Sequence, residues 1–202
     1  MYLYGASGHG KVIKDILESQ GRAVDGFIDD NPDRNDYAGL SVRHDVSNTD
    51  EIIVSIGYND IRKRIAERVD GTFAAAAVHE KAIVSESVTL GEGTVVMAGA
   101  VINADTNLGK HCIVNTGASV DHECVIGDFV HIAPHATLCG QVKVGEGTLI
   151  GVGASVVQCV TIGKWCKIGA GAVVLGDIPD GATVVGVPGR IINYRKGYGH
   201  EK

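Results

Sequence analysis

The residues best equipped for chemistry in this 202-residue chain are a histidine and the glutamate beside it, in Val120-Asp121-His122-Glu123-Cys124-Val125. An imidazole that titrates near neutrality can take a proton from an attacking group, and an adjacent carboxylate favours its protonated form. A solvated surface histidine is the alternative. A second constellation opens the chain, where Gly5-Ala6-Ser7-Gly8-His9-Gly10 stands between the short apolar run at Leu3 and the helically spaced Val12, Ile13, Ile16 and Leu17. Strand, glycine turn and helix in that order offer N–H groups and a positive dipole end to a phosphate. The turn is not G-x-G-x-x-G, so a nucleotide diphosphate fits it as well as NAD does. Asp29-Asp30 end the next apolar run, where a carboxylate meets a ribose or a base edge; an acidic turn before Asn31-Pro32 is the plainer reading. His111, His122, His131 and His135 invite a zinc reading, which we do not favour. The five cysteines, at 112, 124, 139, 159 and 166, contain no C-x-x-C pair, so neither a zinc ribbon nor a disulfide framework is expected.

Two halves with different periods must position these groups. Over residues 1–80, apolar runs alternate with helical patterns: strands at Leu3, at Phe27-Ile28, over 52–56 and over 73–78, and a second helix through Ile61 and Ile65 capped by Asn59. That alternation predicts a short Rossmann-like parallel sheet of βαβ units, an α/β nucleotide-binding domain. From residue 84 to residue 174, every sixth residue is Val, Leu or Ile without interruption, sixteen in all. Four residues after each comes a small or compact side chain, among them Thr94, Ala100, Cys112, Ala118, Cys124, Ala136, Ala154, Cys166 and Ala172. A longer period of eighteen appears in the glycines at 91, 109, 127, 145 and 163, so three hexapeptides make one turn. Stacking such turns at about 4.8 Å buries a continuous aliphatic column and pairs the backbone of neighbouring turns. A triangular parallel β-helix over 81–202 follows, with Cys112, Cys124 and Cys166 as small buried hydrophobes. The period also places Gly140 one turn from His122, where a residue without a side chain lets its N–H approach a reacting group.

The repeat [LIV]-G-x-x-[STAV]-x in sixteen copies resembles the hexapeptide-repeat acyltransferases, whose β-helix is left-handed. Tyr4-Gly-Ala-Ser-Gly-His-Gly10, Ile28-Asp-Asp, Ile56-Gly-Tyr-Asn-Asp-Ile-Arg and Asp121-His-Glu-Cys-Val-Ile-Gly resemble, more narrowly, the sialic acid O-acetyltransferase and UDP-4-amino-sugar N-acetyltransferase subfamily. The resemblance implies acetyl-CoA as donor and a nucleotide-amino-sugar as acceptor. It implies His122 as general base with Glu123 beside it, and the Gly140 N–H as donor to the thioester oxygen. By the same resemblance His131, read here as a corner residue, Asn115, Arg190 and the backbone at Val152 and Ala170 serve CoA. Ser7, Gly8, His9, Asp29, Asp30 and Gly57 then contact the nucleotide-sugar. A homotrimer with CoA between neighbouring β-helices is implied too. His111 and His135 match no such role and are expected at the surface.

Composition narrows the field further. With 45% hydrophobic residues, 28 glycines and only 5% aromatics, the chain is globular and its core is aliphatic. A formal charge of −6 argues against nucleic acid as a partner. No apolar run reaches the length of a membrane span, and the N-terminus lacks a basic leader segment, so a cytoplasmic location is expected. Three rival readings stay open: O-acetylation of sialic acid or a related hydroxyl, a non-enzymatic nucleotide sensor, and an NAD-linked oxidoreductase.

Overall fold

The structure, a computed structural model, describes residues 1–48 and 50–197. Its N-terminal part is a six-stranded sheet built from β1 (Tyr2–Tyr4), β2 (Gly26–Ile28), β3 (Asp36–Tyr37), β4 (Leu40–Arg43), β5 (Glu51–Val54) and β6 (Thr72–Phe73). Their spatial order is β3-β4-β2-β1-β5-β6, parallel throughout except for the β3–β4 hairpin. Helix α1 (Gly8–Ser19) buries Ile13, Ile16 and Leu17 against Leu3, Phe27 and Ile53. Helix α2 (Asn59–Arg68) covers the other side, where Tyr4, Ile28, Ile52 and Val54 alternate with that first set and meet Ile65. Asn59 is the first residue of α2 rather than its cap, which is Tyr58. Its carboxamide is engaged elsewhere, donating to the carbonyls of Gly147 and Thr148 at 3.1 and 3.2 Å.

The remaining chain is a three-faced parallel β-helix. The first face runs from Ala77–Val78 to Lys167–Ile168 and is extended by Ala182–Val185 and Arg190–Tyr194; the second runs from Ile83–Val84 to Val173–Val174, the third from Thr89–Leu90 to Thr161–Ile162. Partners along each face are eighteen residues apart, as in Val95↔Ile113 and Ile113↔His131. The expected strand over 73–78 is therefore two pieces, Thr72–Phe73 closing the N-terminal sheet and Ala77–Val78 forming the first rung of the solenoid.

All sixteen aliphatics face inward in one cluster, with only Val84 and Leu90 less than fully buried at its open end. The small column beside them includes polar groups, and each is satisfied by its neighbours in adjacent turns. Thr94, Thr106 and Thr148 accept the N–H of Cys112, Cys124 and Cys166 at 2.9–3.1 Å, one turn on. The hydroxyls in turn donate to the carbonyls of Gly109, Asp121 and Gly163. The three cysteines are buried thiols, as expected, donating to the carbonyls of Gly127, Cys139 and Pro179.

Every corner from residue 93 to residue 171 turns on one residue with φ between 53° and 69°, repeated at intervals of six. Eight of these fourteen are not glycine, namely Asp105, His111, Glu123, Phe129, His135, Gln141, Cys159 and Trp165. A side chain in the left-handed region costs about 1–2 kcal/mol. Ladder pairing of the flanking strands holds the corners in place.

The outward residues of the first face explain how the halves dock. Ala77, Val95 and Ile113 are apolar and join the α1 side of the N-terminal core. Below them the same column continues as His131, Leu149, Lys167 and Thr183, which form one wall of a cavity whose upper end is closed by the N-terminal domain.

Candidate active site

His122 and Glu123 form the turn between the second and third faces, and both side chains point to solvent, about half exposed. Glu123 Oε2 lies 3.0 Å from His122 Nδ1. The carboxylate is held below the usual range, first by a 3.0 Å hydrogen bond from Gln141 Nε2 and then by the histidine. With Nδ1 facing Glu123, Nε2 is the edge left to exchange a proton. That edge lies over Gly140: a Cβ at Gly140 would stand 2.7 Å from both Cε1 and Nε2 of the ring. The Gly140 N–H has no acceptor among the described residues. Imidazole and free N–H thus stand together at one corner, in the arrangement that the period of eighteen predicts.

The glycine turn lies elsewhere. Ser7, Gly8 and His9 at the start of α1, with Gly57 after β5, line one end of a cavity of about 1290 Å³ that continues down the first face. Val152 and Ala170 border it at the corner between the first and second faces, one turn apart, with the Gly171 N–H on the Val152 carbonyl at 2.8 Å. His131 also lines it, but from a strand rather than a corner. Its Nδ1 is 3.3 Å from the Gly57 carbonyl and its Nε2 3.0 Å from Asn115 Nδ2, so both nitrogens are used and the ring bridges the two domains. Asn115 acts behind His131 and is not itself on the cavity wall. Burial depresses the pKa of His131 to about 3 and that of His9 to about 4, with Arg62 adding to both. Both rings are therefore neutral at pH 7. His9 Nε2 is buried without a protein partner among the described residues.

Three further expected contacts fall outside this cavity. Asp29 is spent on the turn itself, accepting from the Ala6 N–H at 2.9 Å and the Asn31 N–H at 3.0 Å, with Arg34 alongside. Asp30 accepts from Tyr4 Oη at 2.5 Å and pairs with Arg68 at 2.9 Å. Arg190 lies at a separate hollow with Leu175 and Ile178. The arginine on the cavity wall is instead Arg195, 4.8 Å from the Trp165 ring.

His111 corrects an expectation of surface exposure, for it is only 3% exposed, whereas His135 is exposed as expected. Its ring stacks on Phe129 at 5.1 Å and meets Phe73 edge-on at 4.5 Å, and burial pushes its pKa down to about 4. Arg62 accounts for this arrangement. At 1% exposure its guanidinium donates to the carbonyls of Ile56 and Gly57 in one domain and of His111 and Phe129 in the other. Among the described residues no group of three or more His, Cys, Asp or Glu side chains converges as a metal site, and the four tempting histidines stand at different corners and faces.

Residues 1–69 match the PglD N-terminal domain, and residues 141–176 match the six-repeat bacterial transferase hexapeptide. A variant of perosamine N-acetyltransferase from Caulobacter crescentus, solved with CoA and GDP-perosamine, superposes with a TM-score of 0.90 at 38% identity, over 95% of this chain and 96% of that one. The chain belongs to the hexapeptide-repeat sugar acetyltransferases. The acetyltransferase domain of PglB from Neisseria gonorrhoeae FA1090 gives 0.88 at 38% identity, over 95% of this chain and 98% of that one. UDP-N-acetylbacillosamine N-acetyltransferase from Bacillus subtilis (strain 168) is 39% identical over 109 residues, 48% of this chain and 50% of that protein. The matched stretch spans half or less of the curated relatives' length. In this chain the cavity and the His122 corner lie on different edges of one prism: none of His122, Glu123 and Gly140 lines the cavity. No helix among the described residues is long and apolar enough to cross a membrane.

Proposed function

We propose that this protein transfers the acetyl group of acetyl-CoA to the amine of a nucleotide-linked amino-sugar. The observation that carries the reading is the single cavity that joins the phosphate-accepting turn Ser7-Gly8-His9 to a groove along the hexapeptide face. Two relatives of this fold at 38% identity were solved with CoA and GDP-perosamine, or with acetyl coenzyme A. The turn takes the nucleotide diphosphate on the α1 N-terminus, with Gly57 and neutral His9 beside it. Val152 and Ala170 present backbone to the pantetheine arm, and His131 sets the groove's upper end. Asp29 and Asp30 serve the nucleotide by shaping the turn.

At the reacting centre His122 Nε2 takes the proton shed as the amine bonds to the acetyl carbon, while Glu123 holds the ring by Nδ1 and steadies the imidazolium. The Gly140 N–H donates to the thioester oxygen as charge builds there, and the C–S bond then breaks to release CoA. No enzyme thiol takes part. Because His122 and the cavity occupy different edges of one chain, a second copy must bring its His122 corner to this copy's cavity. A homotrimer of parallel prisms does this three times over.

A UDP-4-amino-sugar is the first acceptor to test, with GDP- and dTDP-linked amino-sugars next and free sialic acid as the hydroxyl control. CoA release from acetyl-CoA, followed with a thiol reagent, should respond to one nucleotide-amino-sugar. Turnover with sialic acid alone would make the protein an O-acetyltransferase, and silence across the panel would count against catalysis on these acceptors.

A further inference from the structure

The corner that carries His122 differs from the other two in what occupies its left-handed positions. Between the first and second faces those positions are Gly99, Gly117, His135, Gly153 and Gly171. Between the second and third they are Asp105, Glu123, Gln141 and Cys159, with no glycine at all, although glycine would escape the strain of positive φ. The last three are hydrogen-bonded in series along the prism. Cys159 Sγ donates to Gln141 Oε1 at 3.3 Å, Gln141 Nε2 donates to Glu123 Oε2 at 3.0 Å, and that same oxygen faces His122 Nδ1 at 3.0 Å. The carboxylate fixes which way the carboxamide points: Glu123 can only accept, so the amide hydrogens turn to it and Oε1 is left to accept from the Cys159 thiol. Gln141 also donates its backbone N–H to the His122 carbonyl at 2.9 Å, next to the Gly140 N–H.

We propose that Gln141 is a positioning residue for acetyl transfer, its carboxamide holding the Glu123 carboxylate on the Nδ1 edge of His122. This rests on His122 being the base. Without Gln141, Glu123 is a half-exposed side chain free to leave the ring, which then loses its fixed tautomer and orientation. The strain tolerated at three consecutive corner positions is explained by this relay, since a glycine at 141 would relieve φ but leave the carboxylate unheld.

The test is a kinetic cycle of Gln141→Gly, Glu123→Ala and the double variant, with His122→Ala alongside. Gln141→Gly should lower kcat about five- to tenfold, the worth of one net hydrogen bond at the reacting centre. Both KM values and the melting temperature should hold or, for the latter, rise as the strain is relieved. In the Glu123→Ala background the same change should do nothing further, because the two act as one unit. Unchanged kcat in Gln141→Gly while His122→Ala is inactive would overturn the relay alone, as would an equal loss in the Glu123→Ala background. Full turnover in His122→Ala would overturn the base reading and the relay with it.

Discussion

Replacing Gly140 by alanine isolates the geometry on which the chemistry depends. Its φ lies outside the left-handed region, so alanine adopts the backbone without strain, and stiffening the unfolded chain favours folding slightly. The added Cβ would stand 2.7 Å from Cε1 and Nε2 of His122, against an ordinary contact of 3.4 Å or more. The ring is half exposed and gives way instead of the backbone, by at least about 0.7 Å. A misplacement of about 1 Å costs on the order of 10² in rate, so kcat should fall about 30- to 100-fold, or about 2–3 kcal/mol of barrier. The melting temperature should be unchanged or slightly higher, and the KM for the nucleotide-sugar should stay within twofold, since the nucleotide diphosphate is held by the phosphate turn and not by this corner. Steady-state kinetics paired with thermal unfolding decides the matter. A kcat within twofold of the parent's would refute the contact between Gly140 and the working edge of His122.

Stability should fall with acidity. The buried His111 ring has a pKa near 4 in the folded protein against about 6.5 unfolded, so the unfolded state binds more protons between those values. Its contribution is complete above about pH 6.5 and is lost as pH drops toward 4, by at most about 3 kcal/mol, with His9 and His131 acting in the same direction. His111→Phe should flatten that slope in urea titrations at pH 7.5 and 5, and an unaltered slope would exonerate this ring. Arg62→Leu strands the two buried carbonyls of His111 and Phe129 and removes a donor from the part-buried ones of Ile56 and Gly57, and should cost more than about 2 kcal/mol, with Arg62→Lys recovering only part because it has fewer donors; denaturant midpoints within error of the parent's would contradict this. Ala170→Trp should obstruct the groove and raise the KM for acetyl-CoA about tenfold or more while sparing that for the sugar, a loss of about 1.4 kcal/mol in binding. Equal KM values for acetyl-CoA would move the pantetheine path away from this corner.

Much of the architecture is legible in the sequence because the β-helix repeats its demands. An inward aliphatic must recur every six residues, and Val84 to Val174 obey without exception. The pairing of His122 with Gly140 follows from the same arithmetic. The left-handed corner residues leave no such trace, since Asp, His, Glu, Phe, Gln, Cys and Trp all occupy them under the constraint of the ladder. The β3–β4 hairpin is hidden for a related reason. Its turn puts Ala38 and Gly39 at φ 50° and 78° without the Asn-Gly pair that advertises such turns. Arg62 looks like one more charge on a polar helix, and its burial becomes visible only when the His111 corner arrives beside α2. The roles of Asp29 and Asp30 likewise depend on Arg34, Arg68 and Tyr4 reaching them first. Trp165, the chain's one tryptophan, carries no pattern that links it to Arg195.

The proposed acceptor is an amine on a nucleotide-linked sugar. Incubating the protein with acetyl-CoA and a nucleotide-4-amino-sugar, then examining the sugar product by mass spectrometry before and after hydroxylamine, tests it directly. One added acetyl group per sugar is expected, resistant to hydroxylamine as an amide is, formed in step with CoA release. A hydroxylamine-labile ester, or CoA release with an unmodified sugar, would contradict it.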